Sequence, residues 1–502
     1  MIAFALALCS ASAVAAGSPV SASTAQGDPR PDPRSESHYY ELQTLALPEG
    51  LELEVGGLLV RDDGSILACT RRGEVWSIRD AFVEGREPRF VRFAQGLHEP
   101  LGLLERDGWI YVTQRAELSR LRDVDGDERM DELETVCDAW PISGNYHEYN
   151  FGPALAPDGS LWITTNKPFG DEPFGRAKWR GFALRIALDG AGAGTMQPMC
   201  AGLRSPAGIG AAPWGDLFYT DNQGEWCGAS KLAHLEPGDF HGHPWGAFSC
   251  EDPLWTFAKP GEAPNGVKMP DVARVLPSFK LPAVWFPYDK MGRSPAGFVW
   301  DASDGAFGPF AGQLFVGDQY QSSVMRVFLE RVGKRWQGAC FPFRRGLSSG
   351  VVRVAWDKRG GLLCGLTDRG WGSLGNRTHG LERLVWSGKT PFEILAMRAR
   401  HDGFELEFTA PVELVSGAEP ANYSLSSYTY LLHENYGSDE VDSQALKVRE
   451  ARVSDDRRRV RLVVEGLREG YVHELSCDVV SATGAHLLHD AAYYTLIESP
   501  KE

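Results

Sequence analysis

The sequence predicts an all-β protein, a six-bladed β-propeller followed by a small Ig-like β-sandwich. Two observations predict it. Six stretches (57–78, 100–121, 152–186, 206–235, 295–328 and 351–384) repeat one pattern: an apolar run, a turn of Asp, Gly or Lys, a second apolar or aromatic run, then a polar loop. Short strands repeating every 40–55 residues or so are the signature of propeller blades. The chain also carries 56 Gly, 31 Pro and 15 Trp with no long amphipathic helical pattern, which favours strands and turns.

The elements follow in order. Residues 1–16 are apolar and then small, with Ala13-Val14-Ala15 as a small-x-small cleavage site. A secretory signal peptide is expected there, and with it an exported, periplasmic or extracellular protein. Residues 17–44 are rich in Ser, Pro, Ala and Asp and are expected to form a disordered linker. The propeller is expected over 45–390, with 239–290 as a long aromatic-rich insertion between the fourth and fifth blades. After "GKTPFEI" the pattern changes to strands alternating with turns, among them a hairpin at Asp455-Asp456, and 391–502 reads as the sandwich. No apolar run after the first reaches the roughly 18–20 residues that span a bilayer.

A formal net charge of −16 argues against nucleic-acid binding, which needs a Lys/Arg footprint. Any anionic ligand needs a local positive pocket instead. Beyond Cys9 there are eight cysteines, an even number compatible with disulfides in an exported chain. Cys227 and Cys250 flank one long loop and form the first candidate pair, whereas Cys364 sits in an apolar strand and reads as a buried thiol. The absence of Cys-x-x-Cys-His leaves no covalent haem c, so electrons, if the protein moves them, pass to a separate molecule.

A propeller brings distant residues together at the mouth of its channel. The motif x-x-Pro-x-Gly recurs at 98–102, 204–208 and 293–297, and the third blade supplies Glu148 at the corresponding place with His147 beside it. One position on four blades thus holds His98, Glu148, Arg204 and Arg293. The exits of the second strands add Lys167, Asn222, Gln223, Asp318-Gln319 and Asp368-Arg369. Unpaired cations are costly in a dehydrated channel, so this ring makes sense around a bound anion. His147 would then take a proton from a hydroxyl. Alternatively Arg204 and Arg293 pair with Glu99, Glu148 or Asp221 and tie blades together. Separately, "DVDGDERMDELE" sets Asp123, Asp125, Asp127, Asp131 and Glu134 at a spacing suited to wrapping calcium, against a solvated acidic loop as the other reading.

These residues also carry a family resemblance. "NYHEYNFGPALAPDGSLWITTN", "GLRSPAGIGAAPWGDLFYTDNQGEW" and "FAGQLFVGDQYQSSVMRVFLE" resemble the soluble quinoprotein sugar and sorbosone dehydrogenases, exported six-bladed propellers that bind pyrroloquinoline quinone (PQQ) with calcium. "GLTDRGWGSLG" followed by "GLERLVWSGKTPFEI" is similar to a dehydrogenase-like propeller family abundant in planctomycete-type bacteria, some of whose members are fused to a cytochrome c. The resemblance implies His147 as general base and Arg204 as a quinone-binding arginine, with Arg353 as what remains of a pair of arginines. It departs at Ser205, where the family carries asparagine, and at Tyr320, near the place of a lysine.

Three readings follow. The first is an oxidoreductase acting on a sugar-like hydroxyl or aldehyde, with His147 as base, a quinone held by Arg204, Arg293, Lys167, Asn222, Gln223 and Arg353, and a separate electron acceptor such as a cytochrome c. The second is a non-catalytic propeller that binds glycan or protein. The third is a calcium-dependent lactonase using Glu148, Asn150 and Asp221.

Overall fold

The computed structural model describes residues 33–501. The expected signal peptide, and the linker up to residue 32, lie outside the described residues. The rest of the linker expectation is corrected. Tyr40–Thr44 is a strand, antiparallel to His379–Trp386. Tyr40 is buried among Phe307, Phe315 and Phe343, and its hydroxyl donates to the Phe307 carbonyl at 3.2 Å. An aromatic that finds such a site outweighs the polar composition around it.

Each blade is an antiparallel sheet whose second strand is mostly apolar and wholly buried. Ile66–Thr70, Trp109–Thr113, Leu161–Thr165, Leu217–Asp221, Leu314–Asp318 and Leu362–Thr367 are buried at every residue. These strands lack two-residue alternation because neighbouring blades cover both faces. The innermost strands approach the axis so closely that glycine is required. A Cβ on Gly102 would lie 1.7 Å from the Gly152 carbonyl oxygen, and one on Gly208 would lie 2.3 Å from that of Ala296. The glycine of x-x-Pro-x-Gly is therefore a packing residue.

Five blades, rather than six, stand as separate four-stranded sheets. They cover 55–95, 103–137, 150–201 and 206–286, with the last formed by 351–386 and closed by Tyr40–Thr44. The remaining repeat, Pro295–Trp300 through Arg335–Arg344, is not a free-standing blade. Its outer strand pairs with Ala491–Leu496, and the sheet runs on to eleven strands that take in the C-terminal region. The reason lies in strand length: Ser323–Val332 and Arg335–Arg344 are ten residues each and overreach the blade.

Beyond residue 390 the strand order is Ile394–Arg400, Gly403–Phe408, Arg459–Glu465, Val441–Val453, Tyr423–Thr429, Tyr471–Cys477, Ala491–Leu496. The thirteen-residue strand Val441–Val453 is shared by two layers, which close over one core containing Phe404, Leu425, Leu462 and Tyr494. The Asp455-Asp456 turn joins Val453 to Val460 in register. The 239–290 insertion is largely structured. Val284–Phe286 is the outer strand of its blade, and Val267–Lys268 pairs with Leu431–Leu432 of the C-terminal region. All eight described cysteines are free and buried, so the expected Cys227–Cys250 pair is not formed. Among the described residues no helix is long and apolar enough to cross a membrane.

Candidate functional site

Two buried carboxylates shape the channel mouth. Asp221 accepts the backbone N–H groups of Arg204 (3.1 Å), Ser205 (2.7 Å) and Asn222 (3.1 Å). Asp318 does the same for Arg293 (2.8 Å), Ser294 (2.8 Å) and Gln321 (2.7 Å). Burial raises the pKa of both, that of Asp318 to about 6, while the amides work against it. The carboxylates thus pin equivalent loops and set Arg204 and Arg293 at one place in their blades. The residues expected to hold calcium in a lactonase each have protein partners. Asp221 is filled by amides, Glu148 accepts from Ser143 and Asn145 N–H, and Asn150 is held by Arg180 and by the Gln114 and Arg115 carbonyls.

His147 is fully buried. Its Nδ1 lies 2.7 Å from the Lys167 carbonyl oxygen, which can only accept, so Nδ1 carries the proton. Nε2 is left as the acceptor and takes the Ser205 hydroxyl at 3.1 Å. Burial drives the imidazole pKa well below its ordinary value, with Arg204 and Lys167 adding to the effect. A neutral histidine of fixed tautomer, aimed at a hydroxyl, is the geometry of a general base. The departure from asparagine at Ser205 therefore supplies the group that faces it.

The cations beside it are already paired, through a residue the sequence reading missed. Glu225 Oε2 accepts from Arg204 Nε (3.1 Å) and Nη2 (2.9 Å), and Oε1 pairs with Lys167 Nζ. His243 Nδ1 accepts the Trp245 N–H, so its protonated Nε2 faces Glu225 at 3.8 Å. Burial alone would raise the Glu225 pKa; His243, Arg204 and Lys167 outweigh it and hold the carboxylate ionised far into acid. Arg293 pairs with Asp289 at 2.5 Å and lies against the rings of Tyr288 and Tyr320. Glu225 stands two residues after Gln223 in "DNQGEW", so a carboxylate near Arg204 was on view in the sequence.

Among these groups opens a cavity of about 260 Å³. His147, Arg204, Ser205, Asn222, Gln223 and Arg293 line it, together with Phe169, Tyr288, Tyr320, Trp371 and Tyr436. Phe169 stacks on His147 at 3.6 Å between centroids and carries Lys167 and Arg204 against its ring. Asn222 Nδ2 donates to the Ser205 carbonyl and Asn166 Nδ2 to the Ser205 hydroxyl, which leaves both amide oxygens buried without a partner. The mouth therefore pairs Arg204 and Lys167 through Glu225 and leaves Asn222 Oδ1, on a lining residue, open.

Other expected residues lie elsewhere. Arg353 does not reach the mouth. It plugs the channel below, donating to the carbonyls of Leu101 (2.9 Å), Ala207 (2.8 Å) and Val352 (2.5 Å). Its burial lowers the guanidinium pKa to about 10. His98 is exposed at the rim. Across the mouth, Arg71 and Arg115 clamp Glu99 and lie over the Tyr149 ring, a second internally paired set absent from the sequence expectations. In the acidic loop, carboxylate oxygens of Asp123, Asp125 and Asp131 lie within 4.8 Å of one another. Asp127, which accepts the Arg129 N–H, and Glu134, which pairs with Arg120, are not part of that cluster.

Residues 47–237 match the family model described as "Domain of unknown function (DUF7133)". No curated protein matches the chain in sequence. Among solved structures, it is similar to a putative oxidoreductase (glucose dehydrogenase) from Thermus thermophilus, at 20% identity over 69% of this chain and 100% of that one, TM-score 0.48. It is similar to the PQQ-bound aldose sugar dehydrogenase of Streptomyces coelicolor at 16% identity, over 69% of this chain and 98% of that one, TM-score 0.48. It is also similar to the PQQ domain of pyranose dehydrogenase from Coprinopsis cinerea, at 10% identity over 72% of this chain and 99% of that one, TM-score 0.46.

Proposed function

We propose that this protein is an exported propeller oxidoreductase that works on a hydroxyl of a sugar-like compound held in the mouth cavity. The observation that carries the reading is the pairing pattern. Arg204 and Lys167 are paired by Glu225, while Asn222 Oδ1, on a residue of the cavity lining, has no donor. Buried acceptors without partners are costly, and a polyol supplies hydroxyl donors to them. The aromatic rings offer flat apolar faces to the C–H side of a sugar ring. In this reading the substrate hydroxyl hands its proton to His147 Nε2, directly or through Ser205 Oγ, and Lys167 C=O holds the imidazole in place.

PQQ is a flat tricarboxylate. The rings suit its shape; the charge does not. Lys167 and Arg204 share one carboxylate, which leaves a single surplus positive charge, and Arg293 has Asp289 as its own partner. The residues present thus do not fit a trianionic quinone, and the reading assigns the hydride to a flat quinone-type acceptor of at most about one negative charge. Onward transfer to a cytochrome c-like partner, a sixth blade formed by 295–344, and an Ig-like identity for the domain beyond 390 belong to the same proposal. Calcium, if bound, sits at Asp123, Asp125 and Asp131.

A dye-linked assay over aldoses and alditols, run with a neutral naphthoquinone and with PQQ, tests it. Turnover is expected in the wild type, with a loss of ~100-fold or more in His147→Gln, the range set by general-base catalysis. Equal turnover in the variant contradicts the role of His147. The same open acceptors and rings also serve a non-catalytic glycan-binding propeller, which is the reading left if sugars bind and no pair turns over.

A further inference from the structure

The mouth is not built by the propeller alone. The segment 430–442 of the C-terminal region crosses to it and is fastened along its length. Trp226 N–H donates to the His433 carbonyl (2.7 Å), Ser438 N–H to that of Gly228 (2.8 Å) and Gly266 N–H to that of Leu432 (2.8 Å). Lys268 Nζ pairs with Asp442 at 2.7 Å. The loop lies so close to the mouth that a Cβ on Gly437, whose φ is +65°, would stand 2.8 Å from the Gln223 side chain. This seat carries Tyr436 over Arg204, ring to guanidinium at 5.2 Å, while leaving the tyrosine 69% exposed.

Outward of Tyr436 is a second hollow, of about 740 Å³. It shares Gln223, Tyr288 and Tyr436 with the mouth cavity, so these three side chains border both hollows. Beyond them its lining comes from the C-terminal region: Tyr430, His433, Asn435, Asp439 and Glu440. The Tyr430 hydroxyl is buried without a hydrogen-bond partner. Aromatic rings interleaved with amide and carboxylate acceptors repeat, outside, the chemistry of the cavity inside. Tyr436, largely exposed and seated between the two hollows, is placed to meet a ligand that occupies both.

We propose that the hollow walled by 430–442 is a second sugar subsite, so that the ligand of the mouth is an oligosaccharide of two or more rings, its end in the mouth cavity and the next ring beyond Tyr436. This rests on the sugar reading of the mouth. The C-terminal domain is on this account a specificity element that reads chain length.

The test uses the full chain on an array of immobilised mono- to hexasaccharides, beside the double variant Asn435→Ala, Asp439→Ala, whose residues lie only in the outer hollow. Oligosaccharides should be retained ~10-fold more strongly than their terminal monosaccharides, an advantage of about 1.4 kcal/mol. The double variant should lose that advantage and keep monosaccharide retention. Hydrogen exchange across 431–441 should slow with the best-retained oligosaccharide and stay unchanged with its monosaccharide. Equal retention at all lengths, or an advantage that survives the double variant, overturns the second subsite and leaves the sugar reading of the mouth standing. Retention of nothing on the array overturns both.

Discussion

At the scale of single residues, the mouth turns on a few protons and charges. His147 is neutral because burial penalises its charged form, and the Lys167 carbonyl fixes which nitrogen is bare. A base whose pKa lies well below 6.5 stays deprotonated as the pH falls through 6.5. Turnover of the oxidoreductase should therefore hold level from about pH 7.5 to about pH 5.5. A rate that halves near the ordinary histidine value would show that His147 is solvated or is not the base. The residue types at the mouth were legible: two arginines at repeat-equivalent positions, a histidine beside the third blade's equivalent position, and a lysine in the next loop. Their pairing was not. Arg204 finds Glu225, absent from the partners weighed for it, because salt bridges form through space and the loop Gln223–Cys227 folds back over its own blade.

At the scale of elements, the apolar runs announced the inner and second strands, and the glycines of x-x-Pro-x-Gly now have a cause in the close approach at the axis. The limits of the elements were harder to read. Tyr40–Thr44 looks like a tail and is a strand, since its partner lies more than three hundred residues away. Only one such partner strand in register was needed, and no local signal marks it. The convergence of carboxylates in the acidic loop of the second blade was legible in part. Three of its five expected carboxylates converge, and the two partnered by Arg120 and by the Arg129 N–H are not part of that cluster. Calcium added to EDTA-treated protein should raise the melting temperature through that loop, because a ligand that binds only the folded state stabilises it. Asp131→Asn should abolish the rise. A rise undiminished in the variant would place any calcium elsewhere.

At the scale of the whole molecule, three regions meet on one buried histidine. His489 Nδ1 lies 2.5 Å from Glu393 and Nε2 3.1 Å from Glu36, with Arg344 and Arg345 on the far side of Glu36. Glu36 comes from the helix Pro33–Ser37, Arg344 from the merged blade, and Glu393 and His489 from the C-terminal domain. Burial lowers the His489 pKa, but the two glutamates overcome it and raise it to about 9. A raised folded-state value means that the stabilisation is complete below the unfolded value of 6.5 and is lost as the pH climbs through about 9. The shift corresponds to about 3 kcal/mol at 1.36 kcal/mol per unit. Unfolding followed between pH 6 and pH 10 should show that loss in the wild type and a flatter profile in His489→Gln. Equal slopes would assign the pH dependence to other groups. The same scale explains why the C-terminal region escaped a functional reading in the sequence. Its own strands carry no chemistry, and Tyr436 matters only once the region is docked over the mouth.

The claim that organises these observations is that Glu225 offsets one of the two positive charges beside His147 and so decides what the mouth binds. Calorimetric titration of PQQ in calcium, into the wild type and into Glu225→Gln, tests it most directly. The account predicts weak binding to the wild type and a gain of ~10-fold or more in the variant, about 1.4 kcal/mol, as Arg204 and Lys167 are released to carboxylates. Tight binding to the wild type, unchanged or weakened in Glu225→Gln, would contradict it.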